Sequence, residues 1–272
     1  MAQAIIVLVD GDACVPDRIR EDLGILTAPL APAAFDPAEE PRELRRSAAP
    51  VEGEEATAAL ARARELAPAV LYLGVGDGYG GSETALAAAS TTPGVLAIAT
   101  GEALMGGGWQ AIAAAVVARS GGSLDDAERA AAAVRGRTRV LMMLEHPPFA
   151  GVSGGVPGVL FGSRALVRLS GPTVDVVARF GRRDAALVGL RERFALEVQE
   201  GGSGTSGGGA LRVAVHHAGA AAAAEAMALW VERTLHPEEV VVAPLTRHAA
   251  SRLGPGVVGV AWYREGTIGT GG

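Results

Sequence analysis

The stretch Ala69–Leu86, AVLYLGVGDGYGGSETAL, carries the residue types best suited to hold an anion. Its apolar start, Ala69–Leu73, reads as a buried strand. A turn with five glycines follows, and Ser82–Ala89 then begins a helical pattern. Backbone N–H groups in such a turn and in the first helical turn point outward unpaired, and the helix dipole favours negative charge there. Glycine lets the backbone approach a ligand closely. The same composition also serves a tight strand-to-helix connection that binds nothing. A second chemical signal lies at the start. Ile5–Ala13, IIVLVDGDA, is an apolar strand followed by two carboxylates, Asp10 and Asp12.

Composition removes several alternatives. All 24 basic residues are arginine, so no lysine is present to act as a P-loop cation, a Schiff base or a phosphatase cation. The formal charge is -6, and no basic stripe with interleaved aromatics occurs, so nucleic acid is not an expected partner. The single cysteine, Cys14, excludes an intramolecular disulfide and reads as a half-buried apolar thiol suited to a reducing cytoplasm. His216–His217, His236 and His248 match no metal-ligand spacing, so no metal and no cofactor is expected. The N-terminus reads as a first strand rather than a signal peptide, and no apolar run is long enough to span a bilayer, so an integral membrane protein is not expected.

The elements that must position these residues alternate between strand and helix. Ala4–Val9 reads as a strand, Pro16–Leu23 as a short helix, Gly24–Leu30 as extended chain and Asp36–Pro50 as an exposed excursion. Glu54–Leu66 has helical spacing. Val95–Ala99 reads as a strand, and Ala103–Arg119 as a helix interrupted near its start by Gly106–Gly108. Ser123 is placed to cap Leu124–Arg135, with Asp126 completing a capping box. Such a succession implies a parallel sheet with crossovers. After Arg137 the texture changes. Arg139–Leu144, Ala165–Leu169, Val174–Phe180, Leu211–His216, Glu239–Val242 and Val257–Tyr263 read as strands, and Asp184–Phe194 and Ala218–Leu235 as helices. Pro147–Gly158 has the composition of a segment joining two domains, Gly201–Gly209 that of a flexible loop, and Leu253–Gly256 that of a turn. The layout is a parallel α/β domain over residues 1–137 followed by a mixed α/β domain over residues 138–272.

In that order the motifs resemble those of the DegV family, bacterial two-domain fatty-acid-binding proteins. Ile6–Pro16 is similar to the family's opening strand and Thr-Asp-Ser turn, with Asp10 at the Asp position and Gly11 where Ser is usual. Gly24–Leu30 resembles the segment that runs into a Pro-Leu pair. Ser47–Pro50 occupies the place of a Thr-Ser-Gln-Pro motif, Gly76–Ser82 that of Ser-Ser-x-Leu-Ser-Gly-Thr, and Ala97–Gly108 that of a segment ending in glycines. Arg252–Gly259, RLGPGVVG, resembles His-x-Gly-Pro-Gly-x-x-Gly and is the most specific piece. The resemblance implies an α/β fold of two domains, a Rossmann-like parallel sheet with helices on both faces followed by a mixed α/β domain. It also implies a non-catalytic carrier. The fatty-acid carboxylate would be held at the domain junction by hydroxyls and N–H groups, the acyl chain would lie in an apolar tunnel, and a separate fatty-acid kinase subunit would be the partner.

Carried onto this chain, the head-group site comprises Ser47, Asp77, Gly80, Gly81, Ser82 and Arg252. Gly80 stands where the family has a serine, and Gly81 keeps its backbone N–H. Ser47 and Ser82 stand in for threonines. Asp77 replaces a serine beside the head group, and Arg252 replaces a histidine. Each has a plainer role: Ser47 as a turn hydroxyl, Ser82 as a helix N-cap, Asp77 as a turn residue, Arg252 as a structural arginine. No Gly-Gly-Arg motif is recognisable near Gly151–Ser153. Two other readings stand beside the carrier. One is a DegV-like scaffold without fatty-acid binding. The other is a phosphatase resembling the haloacid dehalogenases, with Asp10 as nucleophile and Asp12 as acid/base. Against the second, Asp125–Asp126 open a helix rather than follow a strand, and the lysine that chemistry uses is missing.

Overall fold

In β1 (Ile5–Asp10) every residue is buried, so both faces of the strand must be covered. The structure is a computed structural model that describes residues 4–29, 31–40, 43–44, 53–75, 83–145, 163–171, 173–202 and 209–266. β1 lies between β2 (Leu26–Ala28) and β3 (Ala69–Gly74), and β4 (Val95–Ala99) completes a parallel sheet in the order β2-β1-β3-β4. Because side chains alternate along a strand, Ile6, Leu8, Val70 and Tyr72 join the core with α2 (Gly53–Leu66) and α3 (Glu83–Ser90). Val7, Val9, Leu71 and Leu73 join a second core with α4 (Met105–Arg119) and α5 (Leu124–Val134), to which α1 (Asp17–Leu23) adds Ile19 and Leu23.

The second sheet contains β5 (Arg139–Leu144), β6 (Arg164–Ser170), β7 (Thr173–Phe180), β8 (Leu211–His217), β9 (Glu239–Pro244) and β10 (Val258–Arg264). Its order is β7-β6-β5-β10-β8-β9, antiparallel throughout except for the parallel pair β8/β9. That pair is joined by α7 (Ala221–Leu235), a helical crossover of the kind a parallel pair needs. Leu141, Met143, Val213, Val215, Val260 and Trp262 pack with α7 and with α6 (Arg183–Gly202) on the outer face. Val140, Met142, Leu144, Val167, Ala261 and Tyr263 face inward, into the same core as α4. A last helix, α8 (Arg247–Leu253), also joins that core. The molecule is therefore two α/β units back to back, with α4, α5 and α8 between their sheets. The expected parallel sheet with helices on both faces and the expected mixed α/β unit are both present.

Several expectations need correction. Gly106–Gly108 do not interrupt α4. They lie inside its first turns, where a Cβ on Gly107 would stand 3.2 Å from Thr100 Oγ1 and one on Gly108 3.0 Å from Val15. Close approach, not helix breaking, explains them, since three glycines cost roughly 1 kcal/mol each in helix propensity. Asp36–Pro50 is not simply an exposed excursion. Arg247 Nε donates to Glu39 at 2.9 Å, the Arg247 N–H bonds Ala33 C=O at 2.7 Å, and Leu44 is fully buried. Pro147–Gly158 does not join the two sheets, because β5 and β6 on either side of it pair with each other; residues 146–162 themselves lie outside the described residues. α6 continues past Phe194 to Gly202, taking in the first glycines of Gly201–Gly209, of which 203–208 are not described. The expected turn at Leu253–Gly256 begins as the end of α8. Its Gly254 and Gly256 have φ of 91° and 77°, which explains glycine at both. Cys14 is fully buried rather than half-buried, at φ 52°. The capping box is as expected: Asp126 N–H donates to Ser123 Oγ at 3.1 Å, and Ser123 N–H to the Asp126 carboxylate at 2.9 Å.

Candidate ligand site at the junction of the two sheets

β1 connects outward to β2 on one side, and the chain then crosses back to β3 on the other. Ligand sites of open parallel sheets form at such a switch point, beyond the carboxyl ends of the strands. Asp10 ends β1 there. Its carboxylate accepts from Tyr72 Oη at 2.5 Å and from the Val75 N–H at 2.7 Å, which fixes the chain just after β3. Burial, then the Asp10 charge, pushes the Tyr72 phenol up, so it remains a donor. Val75 is the last described residue before the glycine-rich segment 76–82, and it lines a small pocket between the two units.

The pocket has a volume of about 20 Å³ and is lined by Asp12, Val75, Ala103, Leu104, Leu169, Ala249, Arg252 and Leu253. Both units contribute to it. Its walls are apolar, with one acidic and one basic side chain. Leu104 stands at φ 51°, ψ -138°, a backbone conformation rare for a branched side chain and the kind of strain that gathers at functional sites. The space suits about one water, far below the several hundred Å³ of a small-molecule site.

Asp12 links the two units. It accepts from Thr246 Oγ1 at 2.9 Å and contacts His248 Nδ1. Thr246 is the N-cap of α8 and also accepts from the Ala249 N–H at 3.1 Å. Asp12 thus sets the start of the helix whose later residues, Ala249, Arg252 and Leu253, line the pocket. Cys14 lies beside Thr246, and burial, then the Asp12 charge, pushes its thiol up to about 12, so it is no nucleophile.

Behind the pocket, α4 pins the sheets together. His216, fully buried on β8, accepts from the Met105 N–H at 3.3 Å through Nε2 and donates from Nδ1 to Ala243 C=O at 2.9 Å. Burial depresses its pKa to about 4, so the ring is neutral. Trp109 donates to Ala261 C=O at 3.3 Å and packs against the Tyr263 ring, centroids 5.7 Å apart. At the carboxyl end of β5, Arg164 Nε donates to Glu145 at 2.8 Å, and Arg183 bonds both Glu145 and Gly256 C=O, the latter at 2.9 Å. Burial opposes the Glu145 charge, but the two guanidinium groups more than offset it and hold the carboxyl below its usual range.

Of the expected head-group residues, Arg252 is described and lies in the junction pocket. Ser47, Asp77, Gly80, Gly81 and Ser82 lie outside the described residues. Sequence reasoning missed the cross-unit contacts of Asp12, Thr246 and His248, and the clasp of Glu39 on Arg247. Asp12 carried a signal, its place after an apolar strand, but the signal pointed to phosphatase chemistry. Among the described residues, no cluster of His, Cys, Asp and Glu is placed to hold a metal, and no helix is long and apolar enough to cross a membrane.

No family model matches the chain, and no curated protein matches it. Solved structures do match over almost the whole length. One is a fatty-acid-binding DegV family protein from Thermus thermophilus, 21% identical, with a TM-score of 0.77 over 96% of this chain and 99% of that one. Another is DegV, a fatty acid binding protein from Bacillus subtilis, at 18% identity and a TM-score of 0.74, covering 96% and 99%. A stearic-acid-binding protein from Eubacterium ventriosum is similar at 12% identity and a TM-score of 0.75, covering 97% and 99%. The chain therefore has the two-domain α/β fold of these structures.

Proposed function

We propose that this chain is a divergent member of the DegV family and a lipid carrier, holding a fatty acid or related amphiphile between its two units without catalysing a reaction. The observation that carries this reading is the pocket at the switch point of the first sheet, walled by apolar side chains from both units. In this reading the domains divide at 1–137 and 138–272. Arg252 is the cation at the head group, and Ser47, the Gly81 N–H and Ser82 supply hydrogen bonds, with Gly80 and Asp77 as the departures. Each buried methylene contributes about 0.8 kcal/mol, so the acyl chain supplies most of the affinity and the head group mainly sets orientation. The described pocket is too small for an acyl chain, so loading requires it to open. A fatty-acid kinase subunit is the proposed partner and the cytoplasm the proposed compartment; nucleic acid is not a proposed partner. Asp10 supports this reading over a phosphatase, because its carboxylate is committed to Tyr72 and Val75.

Native mass spectrometry of protein purified without detergent, with identification of any released molecule, tests the proposal. A stoichiometric fatty acid is expected. A bare protein that also refuses added fatty acids would replace the carrier reading with that of a scaffold that does not bind them.

A further inference from the structure

At the opposite end of the second sheet from Gly256, a cavity of about 580 Å³ opens between the start of β5, the ends of β6 and β10 and the last turns of α6. Arg137, Arg139, Arg168, Arg193 and Arg264 line it, against the carboxylates of Glu197, Glu200 and Glu265. This local excess of positive charge stands out on a chain whose formal charge is -6.

The carboxylates do not neutralise it. Glu197 is shared between Arg168 and Arg193, and Glu265 is engaged by Arg212 from outside the cavity. Among the described residues, Arg137, Arg139 and Arg264 form no ion pair. Arg139 donates to the carbonyls of Gly136 and Thr138, at 3.1 and 2.8 Å, and feels the Glu102 charge without forming an ion pair with it. Arg264 gives one Nη to Gly209 C=O at 3.1 Å, while its buried Nε finds no acceptor among the described residues. A buried charged donor without an acceptor is costly. An anion in the cavity would offset that cost through the charge of the guanidinium group rather than by bonding the buried Nε.

We infer that this cavity is an anion site for a small molecule bearing two or more phosphate groups. Guanidinium groups bind phosphate oxygens through paired N–H donors and do not lose their charge at any physiological pH. The volume falls in the range of small-ligand sites, and its polar walls exclude an acyl chain as occupant. The site is separate from the junction pocket, so the inference stands whether or not the chain carries lipid.

The test is titration calorimetry of the full chain with inorganic pyrophosphate at low salt, repeated with the double variant Arg137→Ala/Arg139→Ala. Both arginines are exposed, so the variant keeps the fold, and its thermal unfolding curve checks that. Saturable binding to the parent chain is expected, weakened by sodium chloride and reduced about tenfold or more in the variant as charge-assisted hydrogen bonds are lost. Orthophosphate should bind more weakly than pyrophosphate. No saturable binding to the parent, or equal binding by the double variant, would overturn the inference.

Discussion

The middle of the molecule and the far end of its second sheet are held by different physics. Between the sheets, Trp109, Met105 and Tyr263 are buried, and α4 meets the second sheet through the neutral groups His216 and Trp109, with the Asp12 carboxylate bonding Thr246 and His248 beside them. At the far end, arginines and glutamates pair, Arg212 with Glu239 and Glu265 in partly exposed pairs and Arg168 and Arg193 with the more buried Glu197. Buried neutral contacts carry stability, while surface ion pairs contribute little and are screened by salt. The two regions should therefore respond in opposite ways to mutation, pH and ionic strength.

Trp109→Ala gives the largest expected effect. It opens a cavity between the sheets and removes the bond to Ala261, so a loss of about 3–5 kcal/mol is expected in urea unfolding. A loss below about 1 kcal/mol would mean the middle layer does not hold the units together. Next comes pH. The folded pKa of His216 is depressed from 6.5 to about 4, so its contribution to stability is complete above pH 6.5. It is lost as pH falls from 6.5 toward 4, where the unfolded chain binds a proton that the folded chain refuses, with a total of roughly 3 kcal/mol. His216→Gln should flatten that part of the curve, and an unchanged slope would assign it to other groups. Asp12→Ala follows, leaving Thr246 and His248 without their shared acceptor. A cost of about 1–3 kcal/mol is expected in thermal unfolding, together with weaker fatty-acid binding as α8 loses its anchor.

How legible this was in the sequence follows the same division. Strands such as Ala69–Leu73 and the Ser123 capping box were readable because local pattern dictates them. The Arg252–Gly259 motif was readable because its turn requires glycine at Gly254 and Gly256, both at positive φ. What escaped was long-range. Asp12 meets Thr246 across more than two hundred residues, and no local period records that. The three glycines of α4 read as a break because propensity is local, whereas their cause is the closeness of Thr100 and Val15. The arginine-lined cavity escaped for a related reason. Its arginines are scattered from Arg137 to Arg264 and form no run in sequence.

Two head-group substitutions sharpen the proposed lipid site. If the Ser47 hydroxyl donates to the ligand carboxylate, Ser47→Ala should weaken fatty-acid binding by about 1 kcal/mol or more. Gly80→Ser, restoring the hydroxyl that the DegV resemblance places there, should strengthen it. Fluorescent fatty-acid displacement measures both. No change in either variant would mean that the carboxylate lies elsewhere.

The smallest effect belongs to the far end. Glu239→Gln removes one partner of Arg212 and leaves Glu265 in place, bonded to Nε at 2.6 Å. Both members of the Arg212–Glu239 pair keep more than a quarter of their side-chain surface in solvent, so water replaces what is lost. A change below about 1 kcal/mol is expected at low salt, shrinking at high salt. The Trp109→Ala loss should persist at both salt concentrations, because burial rather than charge produces it. If Glu239→Gln instead cost several kcal/mol and did so at high salt too, the ion pairs of this sheet would be structural in the same sense as its core. The division between a middle layer held by burial and a far end held by charge would then fail.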